Sequence, residues 1–437
     1  MTPSGLLSPR WEAALLGFIV VLFLAVGALY ATGVPPYNAP DEPAHFNYVR
    51  DLAEHGTMPV LRHGDWNADQ LERLKSTHFP PGSDVSTIRY ESHQPPLYYV
   101  AVAPVARLAA GLGERRELVG VRLATLLFGA AALVALHRAA GVAIACDPVT
   151  RLGVVALAAF IPMHVAVAAS VSNDLAAELL MTLVLWRCLL ALRNGLDDRR
   201  AALLGALVGL AMLAKVIDYA AIPLAALAIL LSPTPRRLRH GAVAAGIACL
   251  LVVPWLLRGA LVYGWRDPLG LGRHDEVVAG QPLTGAITAD LVRSWSTTLL
   301  HSFWGQFGWM GVPLDARIYF WLGLLTALAV LGVVLWLAPW GGFWRELGAG
   351  SRRAFVLAGL LVVAVAVETV GYNFTYLQPQ GRYLFPAMAG IALWGMSGLR
   401  ELIAPRQRAV AFGALALGLV VLDVVALVRY VEPALRP

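Results

Sequence analysis

The chain has 437 residues, of which 58% are hydrophobic and only 14% are charged, and its mean hydropathy is +0.65. Soluble proteins carry about 25% charged residues, so this composition excludes an ordinary globular enzyme and predicts an integral membrane protein. The formal net charge of +6 divides into −3 for the first long loop, residues 34–117, and +9 for the remainder. This division indicates loop topology and argues against a nucleic-acid partner.

Nine apolar runs are long enough to cross the roughly 30 Å of hydrocarbon in a bilayer. They lie near residues 13–33, 118–136, 152–171, 175–192, 241–257, 318–337, 354–371, 383–399 and 409–428. The stretch 201–231 would be about 46 Å long as one helix, so we expect two short spans that are broken at Lys215. The predicted fold is an all-α membrane bundle of about eleven transmembrane helices, with juxtamembrane helices in the first long loop.

Residues 94–112 form a further apolar segment, which we interpret as a helix along the outer membrane surface. Pro104 interrupts it and its charge-free part ends before Arg107, so it is short for a span. If it does not cross and the amino terminus is cytoplasmic, the cytoplasmic loops hold fourteen basic residues and the short outer turns hold two. Counting the segment as a span reverses that distribution, which the positive-inside rule disfavours. Its Leu, Val and Tyr side chains are expected to face lipid.

The first long loop opens with Asp41, Glu42 and His45. One interpretation is structural, because Pro43 and Asp41 suit the start of a surface helix that ends near His55. The other interpretation is chemical. A carboxylate that is desolvated beside lipid has a raised pKa and can serve as a general base or, with a nearby histidine, as a metal ligand.

A second polar cluster in the same loop precedes the surface helix. It contains Glu91, His93 and Gln94, which are followed by two prolines and two tyrosines. The prolines make a rigid helix start and the tyrosines suit an interface. The three polar residues serve neither purpose, so they are candidate substrate-binding residues.

Two more candidate positions lie at outer turns between later spans. Asp174, which follows Asn173, is either a helix N-cap or a second acid on the same membrane face as Asp41. Lys215 can pair with Asp218 within one turn, or its ammonium group can hold a phosphate at the interface.

The second long outer loop and the last outer turn hold the remaining candidates. His301 and Gln306 lie among aromatic residues and glycines, a pattern that is typical of an interfacial belt and also suits an element that stacks on a sugar. Arg382, with Gln380 and Tyr383 beside it, is either a helix anchor or a guanidinium for phosphodiester recognition.

No cofactor is required by the sequence, which contains no P-loop, no GxGxxG motif after a strand and no GxSxG motif. Seven of the ten histidines lie outside the membrane on this topology, but no pair has the spacing of an HExxH motif. A divalent metal could therefore bind, although no ligand set is predicted.

The order of these motifs resembles the GT-C class of glycosyltransferases that use polyprenyl-phosphate sugars, including the protein O-mannosyltransferases and the lipid A aminoarabinose transferases. The Asp-Glu pair at 41–42 is similar to a motif of the mannosyltransferases, and Gln-Pro-Pro at 94–96 is similar to their His-Pro-Pro. Val-Arg-Leu at 121–123 looks like their Arg-Leu-Pro, with Ala124 in place of the proline. Residues 380–386 look like the carboxyl-terminal signature of bacterial homologues.

The resemblance implies a mechanism in which an acceptor hydroxyl displaces a lipid phosphate from a sugar with inversion. Asp41 would deprotonate the hydroxyl, and Glu42 and Asp174 would orient the acceptor or the base. Lys215 and Arg382, or a divalent metal, would neutralise the departing phosphate. The other implied substrate-binding residues are His45, Glu91, His93, Gln94, Arg122, Asn173, His301, Gln306, Gln380 and Tyr383.

The resemblance covers the whole chain and implies one membrane domain. Residues 1–258 would form its catalytic module, and 259–437 would add the second long outer loop and the carboxyl-terminal helices. The implied location is a bacterial-type cell membrane, with the amino terminus in the cytoplasm and the active site outside. The implied partners are a polyprenyl-phosphate-linked sugar, the bilayer, and an acceptor that is a protein, a lipid or a glycan.

A transporter or flippase of lipid-linked saccharides is the alternative function. It predicts charges near the bilayer midplane and repeated halves, whereas here the acids cluster in an outer loop and no repeat is visible. A membrane scaffold without catalysis would leave the Asp-Glu and Gln-Pro-Pro motifs without a reason.

Overall fold

The structure is a computed structural model that describes residues 7–278, 286–338, 344–345 and 347–436, most of them in helices. In chain order the helices are α1 (Pro9–Gly33), α2 (Glu42–His55), α3 (Ala68–Ser76), α4 (Leu97–Ala109), α5 (Glu114–Ala143), α6 (Pro148–Ala159), α7 (Pro162–Ala168), α8 (Asp174–Asn194), α9 (Asp198–Met212), α10 (Ala221–Leu231), α11 (Arg237–Tyr263), α12 (Leu271–Val277), α13 (Ala289–Trp304), α14 (Ala316–Leu337), α15 (Ala349–Thr375), α16 (Met388–Leu402), α17 (Arg408–Val425) and α18 (Glu432–Leu435).

Short elements complete the chain. The 3₁₀ helices are Tyr90–His93, Ala110–Leu112, Val216–Ala220 and Gly381–Ala387, and a π-helical turn, Ala426–Val431, joins α17 to α18. Two short strands, β1 (Gln306–Phe307) and β2 (Val312–Pro313), pair in antiparallel fashion with Gln306 opposite Pro313.

Seven of the described helices are long and apolar enough to cross a membrane: α1, α5, α8, α11, α14, α15 and the run Arg408–Leu435. The pair α6 and α7, which is bent by 63°, makes an eighth if it crosses as one. Pro162 begins α7, and because proline has no N–H it cannot continue the hydrogen bonds of α6. The chain is therefore a multi-pass membrane protein.

The predicted count of eleven spans is not confirmed. The other three predicted spans fall on α9, on Val216–Leu231 and on α16. Helices α9 and α16 have 15 residues each and α10 has 11, which is short against the roughly 17 to 25 residues of a spanning helix. The predicted break of 201–231 is confirmed, because α9 ends at Met212 and a 3₁₀ helix follows from Val216.

Small residues allow neighbouring helices to approach closely. Helix α9 lies against α11 where Gly205 meets the backbone of Ala244, and α14 lies against α16 where Gly332 meets Gly398. A Cβ atom at Gly205 or Gly332 would clash with the carbonyl oxygen opposite. Close backbone approach at small residues is the usual way in which membrane helices associate.

Helix α4 forms within the predicted surface segment, but its tyrosines do not face lipid. Tyr98 and Tyr99 are fully buried. The hydroxyl of Tyr98 lies 2.7 Å from that of Thr125 on α5, and the ring of Tyr99 stacks on Tyr48 of α2. The prediction for the tyrosines was wrong because their polar ends find partners inside the bundle, whereas Leu108 is exposed on the other side of the helix.

Candidate functional site

Asp41 lies at the junction where the link after α1 turns into α2. It occupies the position before the first helical residue, with a φ of 64° in the left-handed region, and a non-glycine residue there costs about 1 to 2 kcal/mol. The side chain makes no capping bond to the helix. One carboxylate oxygen accepts a hydrogen bond of 2.7 Å from the hydroxyl of Tyr90, and the other accepts from Arg382. The predicted helix to His55 is confirmed. Because the carboxylate of Asp41 does not cap this helix, both of its oxygens contact other residues of the site.

Arg382 connects two acids that are far apart in the sequence. It lies in the 3₁₀ helix Gly381–Ala387 and is 4% exposed. One guanidinium nitrogen pairs with Asp41, and the second lies 3.5 Å from Asp174. Its Nε donates to the side-chain oxygen of Gln380 at 2.8 Å, and the guanidinium lies over the ring of Tyr383. Every nitrogen of the guanidinium thus has a partner in the site.

Asp174 is the first residue of α8 and is buried, but it does not cap the helix; Asn173 occupies the cap position. Lys215, in the break before the 3₁₀ helix Val216–Ala220, donates to the other oxygen of Asp174. Lys215 therefore pairs with Asp174 and not with Asp218, whose two carboxylate oxygens are buried and have no hydrogen-bond partner among the described residues. Two cations from segments far apart in the sequence thus converge on one carboxylate.

The side-chain amides of Asn173 and Gln94 hold this region together. Asn173 donates to the carbonyl oxygen of Ala214 at 3.0 Å, next to Lys215, and to the side-chain oxygen of Gln94 at 3.4 Å. The structure therefore connects the predicted Gln-Pro-Pro motif to the start of α8 and to the break that carries the lysine.

Glu42 lies beside Asp41 in the sequence but faces another partner. Its carboxylate is fully buried and accepts two hydrogen bonds, of 2.7 and 2.6 Å, from Arg122 of α5. It also accepts the backbone N–H groups of Val171 and Tyr37. Arg122 also donates hydrogen bonds to the carbonyl oxygens of Ala31, Val34 and Pro35. Neither side chain has a free polar atom for a substrate, so this geometry favours a role in positioning.

The charges of the site lower the pKa of Asp41. Burial opposes its ionisation, but the charge of Arg382 and the hydrogen bonds from Tyr90 and Arg382 outweigh it. The expectation of a raised pKa was wrong because the carboxylate, although desolvated, has a guanidinium beside it. The pKa of Arg382 is well above its ordinary value, since Asp41 and Asp174 more than offset its burial. Near neutral pH the carboxylate of Asp41 and the guanidinium of Arg382 are therefore both charged.

His45 and His93 are buried on the same side of the site as Glu91. The Nδ1 atom of His45 lies 2.7 Å from the hydroxyl of Tyr99, and the Nδ1 atom of His93 lies 3.1 Å from the carbonyl oxygen of Tyr90. Glu91 is 9% exposed, and its Oε2 atom has no hydrogen-bond partner. Glu91 directly follows Tyr90, whose hydroxyl bonds to Asp41, and the charges of both Glu91 and Asp41 act on His45.

His301 and Gln306 make their contacts within the second long outer loop and its neighbours. The ring of His301 stacks on Tyr319 at 3.7 Å, and Gln306 donates to the carbonyl oxygen of Met310 at 2.8 Å. Neither contact involves the acids and cations of the site.

Sequence reasoning missed four contributors to the site region: Tyr90, Tyr99, His274 and Tyr376. Tyr90 directly precedes Glu91 in the polar cluster, so its position was a usable signal, and its hydroxyl holds Asp41. His274 and Tyr376 come from segments about 100 residues apart that meet at 3.2 Å, and no local pattern indicates that meeting.

Among the described residues, no group of three or more His, Cys, Asp and Glu side chains is arranged to hold a metal ion. The acids that were candidate ligands are paired with arginine and lysine instead. The described residues of the site therefore do not fit a metal centre.

The helix arrangement is the GT-C fold. The structure is similar to ArnT, the lipid A aminoarabinose transferase, from Cupriavidus metallidurans in the apo state, with a TM-score of 0.56, 15% identity and coverage of 97% of this chain and 74% of ArnT. It is also similar to ArnT bound to undecaprenyl phosphate, with a TM-score of 0.53, 17% identity and coverage of 98% and 74%. For the apo oligosaccharyltransferase of Archaeoglobus fulgidus the TM-score is 0.50 at 12% identity, and this chain, matched over 98%, spans 56% of that protein.

The likeness to the GT-C glycosyltransferases that the motifs implied is therefore confirmed at the level of the fold. The chain belongs to the family described as "Predicted membrane protein (DUF2142)", whose model matches residues 63–391. No curated protein matches the chain in sequence.

Proposed function

We propose that the chain is a membrane glycosyltransferase that moves a sugar from a polyprenyl-phosphate donor to an acceptor hydroxyl. The observation that carries the proposal is the convergence of Lys215 and Arg382 on Asp174, beside Asp41. Two cations held close together by buried carboxylates form a preorganised place for a second anion, such as a phosphodiester. A lipid-linked donor also suits a chain that lacks a nucleotide-binding motif.

The donor phosphate would bind between Lys215 and Arg382. A solved structure of ArnT, which has the same fold, contains undecaprenyl phosphate, and this supports a lipid phosphate as the ligand class. The lipid chain would remain in the bilayer while the sugar projects toward Asp41. Both cations would stabilise the charge that develops on the leaving phosphate.

Asp41 would act as the general base once the donor is bound. In the unliganded state its carboxylate is neutralised by Arg382, which makes it a weak base. A phosphate that engages Arg382 would weaken this ion pair and leave Asp41 with the hydrogen bond from Tyr90. The acceptor proton would pass to Asp41, the acceptor oxygen would bond to the anomeric carbon with inversion, and the electron pair of the broken bond would leave on the lipid phosphate.

The other acids and histidines would support this step. Asp174 would orient the two cations, and Glu42 would hold the start of α2, and thus Asp41, through its ion pair with Arg122. The site would face the extracytoplasmic side of a bacterial-type membrane, as the distribution of basic residues predicts. The acceptor would be a protein, a lipid or a glycan with a free hydroxyl.

The test uses the purified chain in lipid nanodiscs with undecaprenyl phosphate that carries a labelled sugar. Release of undecaprenyl phosphate together with transfer or hydrolysis of the sugar is the expected result. Asp41→Asn should lower this turnover by about 10² to 10⁴-fold, the usual contribution of a general base. Unchanged turnover in Asp41→Asn would remove the base assignment.

The two lysines of the chain provide a matched pair for the phosphate role. Lys215→Ala should weaken the binding of undecaprenyl phosphate about 10- to 100-fold, since a hydrogen bond to a charged group contributes about 1.5 to 3 kcal/mol. Lys75→Ala, which removes an exposed ion pair with Glu72 on α3, should leave the affinity unchanged. Movement of the intact donor across liposomes without cleavage would instead support a transporter.

A further inference from the structure

Glu91 differs from the other acids of the site because it forms no ion pair with a described residue. Asp41 pairs with Arg382, Glu42 with Arg122, and Asp174 with Lys215 and Arg382. Glu91 is nine-tenths buried, forms no ion pair among the described residues, and has one carboxylate oxygen without any hydrogen-bond partner. A buried acceptor that lacks a donor costs free energy, so the geometry indicates a partner that is absent from the chain itself.

The rings around Glu91 do not supply a positive charge near neutral pH. Burial lowers the pKa of His45, although the charges of Glu91 and Asp41 oppose the shift. Burial also lowers the pKa of His93, to about 4, and that of His274. The carboxylate is therefore surrounded by neutral polar rings, which can accept or donate hydrogen bonds but cannot neutralise it.

Helix α12 and the end of α15 cover this side of the site. The rings of His93 and His274 lie 4.7 Å apart, and the hydroxyl of Tyr376 donates to Asp275 at 2.7 Å. Tyr376 also stacks on Tyr372 at 5.2 Å. The carboxylate of Glu91 is thus covered by helix ends that carry aromatic residues, and it is shielded from open water.

We infer that Glu91 accepts hydrogen bonds from hydroxyl groups of the donor sugar. A carboxylate has two acceptor oxygens and no donor, and a sugar ring presents neighbouring hydroxyls that match them. Tyrosine rings nearby suit the apolar face of such a ring. A donor sugar is tethered to the phosphate between Lys215 and Arg382 and can reach a covered carboxylate, whereas an acceptor approaches from the aqueous side. This inference rests on the proposed function.

The experiment compares two ligands on the same protein. One is undecaprenyl phosphate, and the other is undecaprenyl phosphate that carries a mannosyl, glucosyl or galactosyl group. The wild type should bind at least one of the glycosylated lipids more tightly than the bare lipid. Glu91→Gln should reduce that preference about 10- to 100-fold, the loss expected when a charged hydrogen-bond partner is removed. Its affinity for bare undecaprenyl phosphate should not change, which also shows that the variant is folded.

Two further variants define the result. Glu91→Asp keeps the negative charge on a side chain that is one methylene shorter. It should lose less of the preference for the glycosylated lipid than Glu91→Gln. Glu54→Gln removes an exposed acid of α2 that pairs with Arg50 and should match the wild type.

Three outcomes would overturn the inference. Equal losses for both ligands in Glu91→Gln would mean a structural role. A change confined to the acceptor KM would assign Glu91 to the acceptor. A wild type that binds bare undecaprenyl phosphate but none of the glycosylated lipids more tightly would remove the sugar subsite and leave the phosphate site intact. If the wild type binds neither ligand, the proposed function itself fails.

Discussion

Asp41 is held by two donors of different kinds, and only one of them is a charge. Tyr90 donates a neutral hydrogen bond, and Arg382 forms an ion pair. Because Arg382 also lies beside Asp174, removal of the arginine would take a positively charged partner from two acids. The acids and cations of the site thus neutralise one another, and on the proposed function a donor phosphate would bind by competing with Asp41 for Arg382.

The lowered pKa of Asp41 predicts an acid-sensitive contribution to stability. The folded protein keeps this carboxylate ionised to a lower pH than the unfolded chain, whose ordinary aspartate pKa is 3.8. The stabilisation should therefore be complete above that value and be lost as the pH falls through the lower folded-state pKa. Asp41→Asn should destabilise the protein at pH 7 and lose this disadvantage toward pH 3, as measured by thermal unfolding in detergent.

Asp290→Asn is the control for that experiment, since Asp290 is exposed in the first turn of α13. Its stability should run parallel to that of the wild type at every pH. A difference between Asp41→Asn and wild type that stays constant from pH 7 to pH 3 would contradict the ion pair.

Glu42→Gln should act mainly on folding. The change leaves Arg122 buried without its counter-charge, and breaking a buried ion pair in this way costs about 3 to 5 kcal/mol. Unfolding in mixed micelles should show this loss. Glu72→Gln, which breaks an exposed pair with Lys75, should cost less than about 1 kcal/mol. Normal stability with abolished turnover in Glu42→Gln would show that the residue acts in the chemistry.

Short helical elements and breaks carry most of the site, while the long membrane helices support them. Lys215 lies in the break after α9, and the carbonyl oxygen of Leu213 in that break accepts the N–H of Leu97 at the start of α4. Arg382 lies in a 3₁₀ helix, and Asp41 precedes α2. A site that is built at helix ends depends on the backbone contacts that fix those ends.

Gly381 makes such a backbone contact next to Arg382. We therefore expect a substitution at this glycine to lower turnover. Its N–H donates to the hydroxyl of Ser302 at 2.8 Å, and a Cβ atom would clash with the backbone nitrogen of Phe303 on α13. Gly381→Ala should displace Arg382 and lower turnover about 100-fold, the effect of a misplacement of about 1 Å. Gly371→Ala on α15, where a Cβ meets nothing within 4 Å, should retain full turnover. Full turnover in both variants would contradict this role.

The sequence predicted the elements better than their partners. Hydropathy was sufficient for the long spans, helix-start residues for α2, and the length of the apolar run 201–231 for the break near Lys215. They could not reveal that Glu42 and Asp41 serve different partners, because successive residues at a helix start point in different directions. Nor could local patterns show that Arg382 meets Asp41, since the two are 341 positions apart. Such pairings depend on how the helices pack.

For the whole molecule, the distribution of basic residues predicts an orientation. In a background without Cys146, Cys188 and Cys249, a membrane-impermeant maleimide should label Ser86→Cys in intact cells. It should label Arg236→Cys only after the membrane is permeabilised. The opposite labelling would invert the topology and place the site in the cytoplasm.

The sharing of Arg382 also bears on how the protein is made. Asp41 and Asp174 are synthesised 341 and 208 residues before the arginine that pairs with both. At about 5 to 20 residues per second, the ribosome needs roughly 20 to 70 s to pass from the first acid to Arg382. During that interval Asp41 lacks the guanidinium that pairs with it in the folded protein. The ion pairs of Arg382 with Asp41 and Asp174 therefore form only when translation is nearly finished.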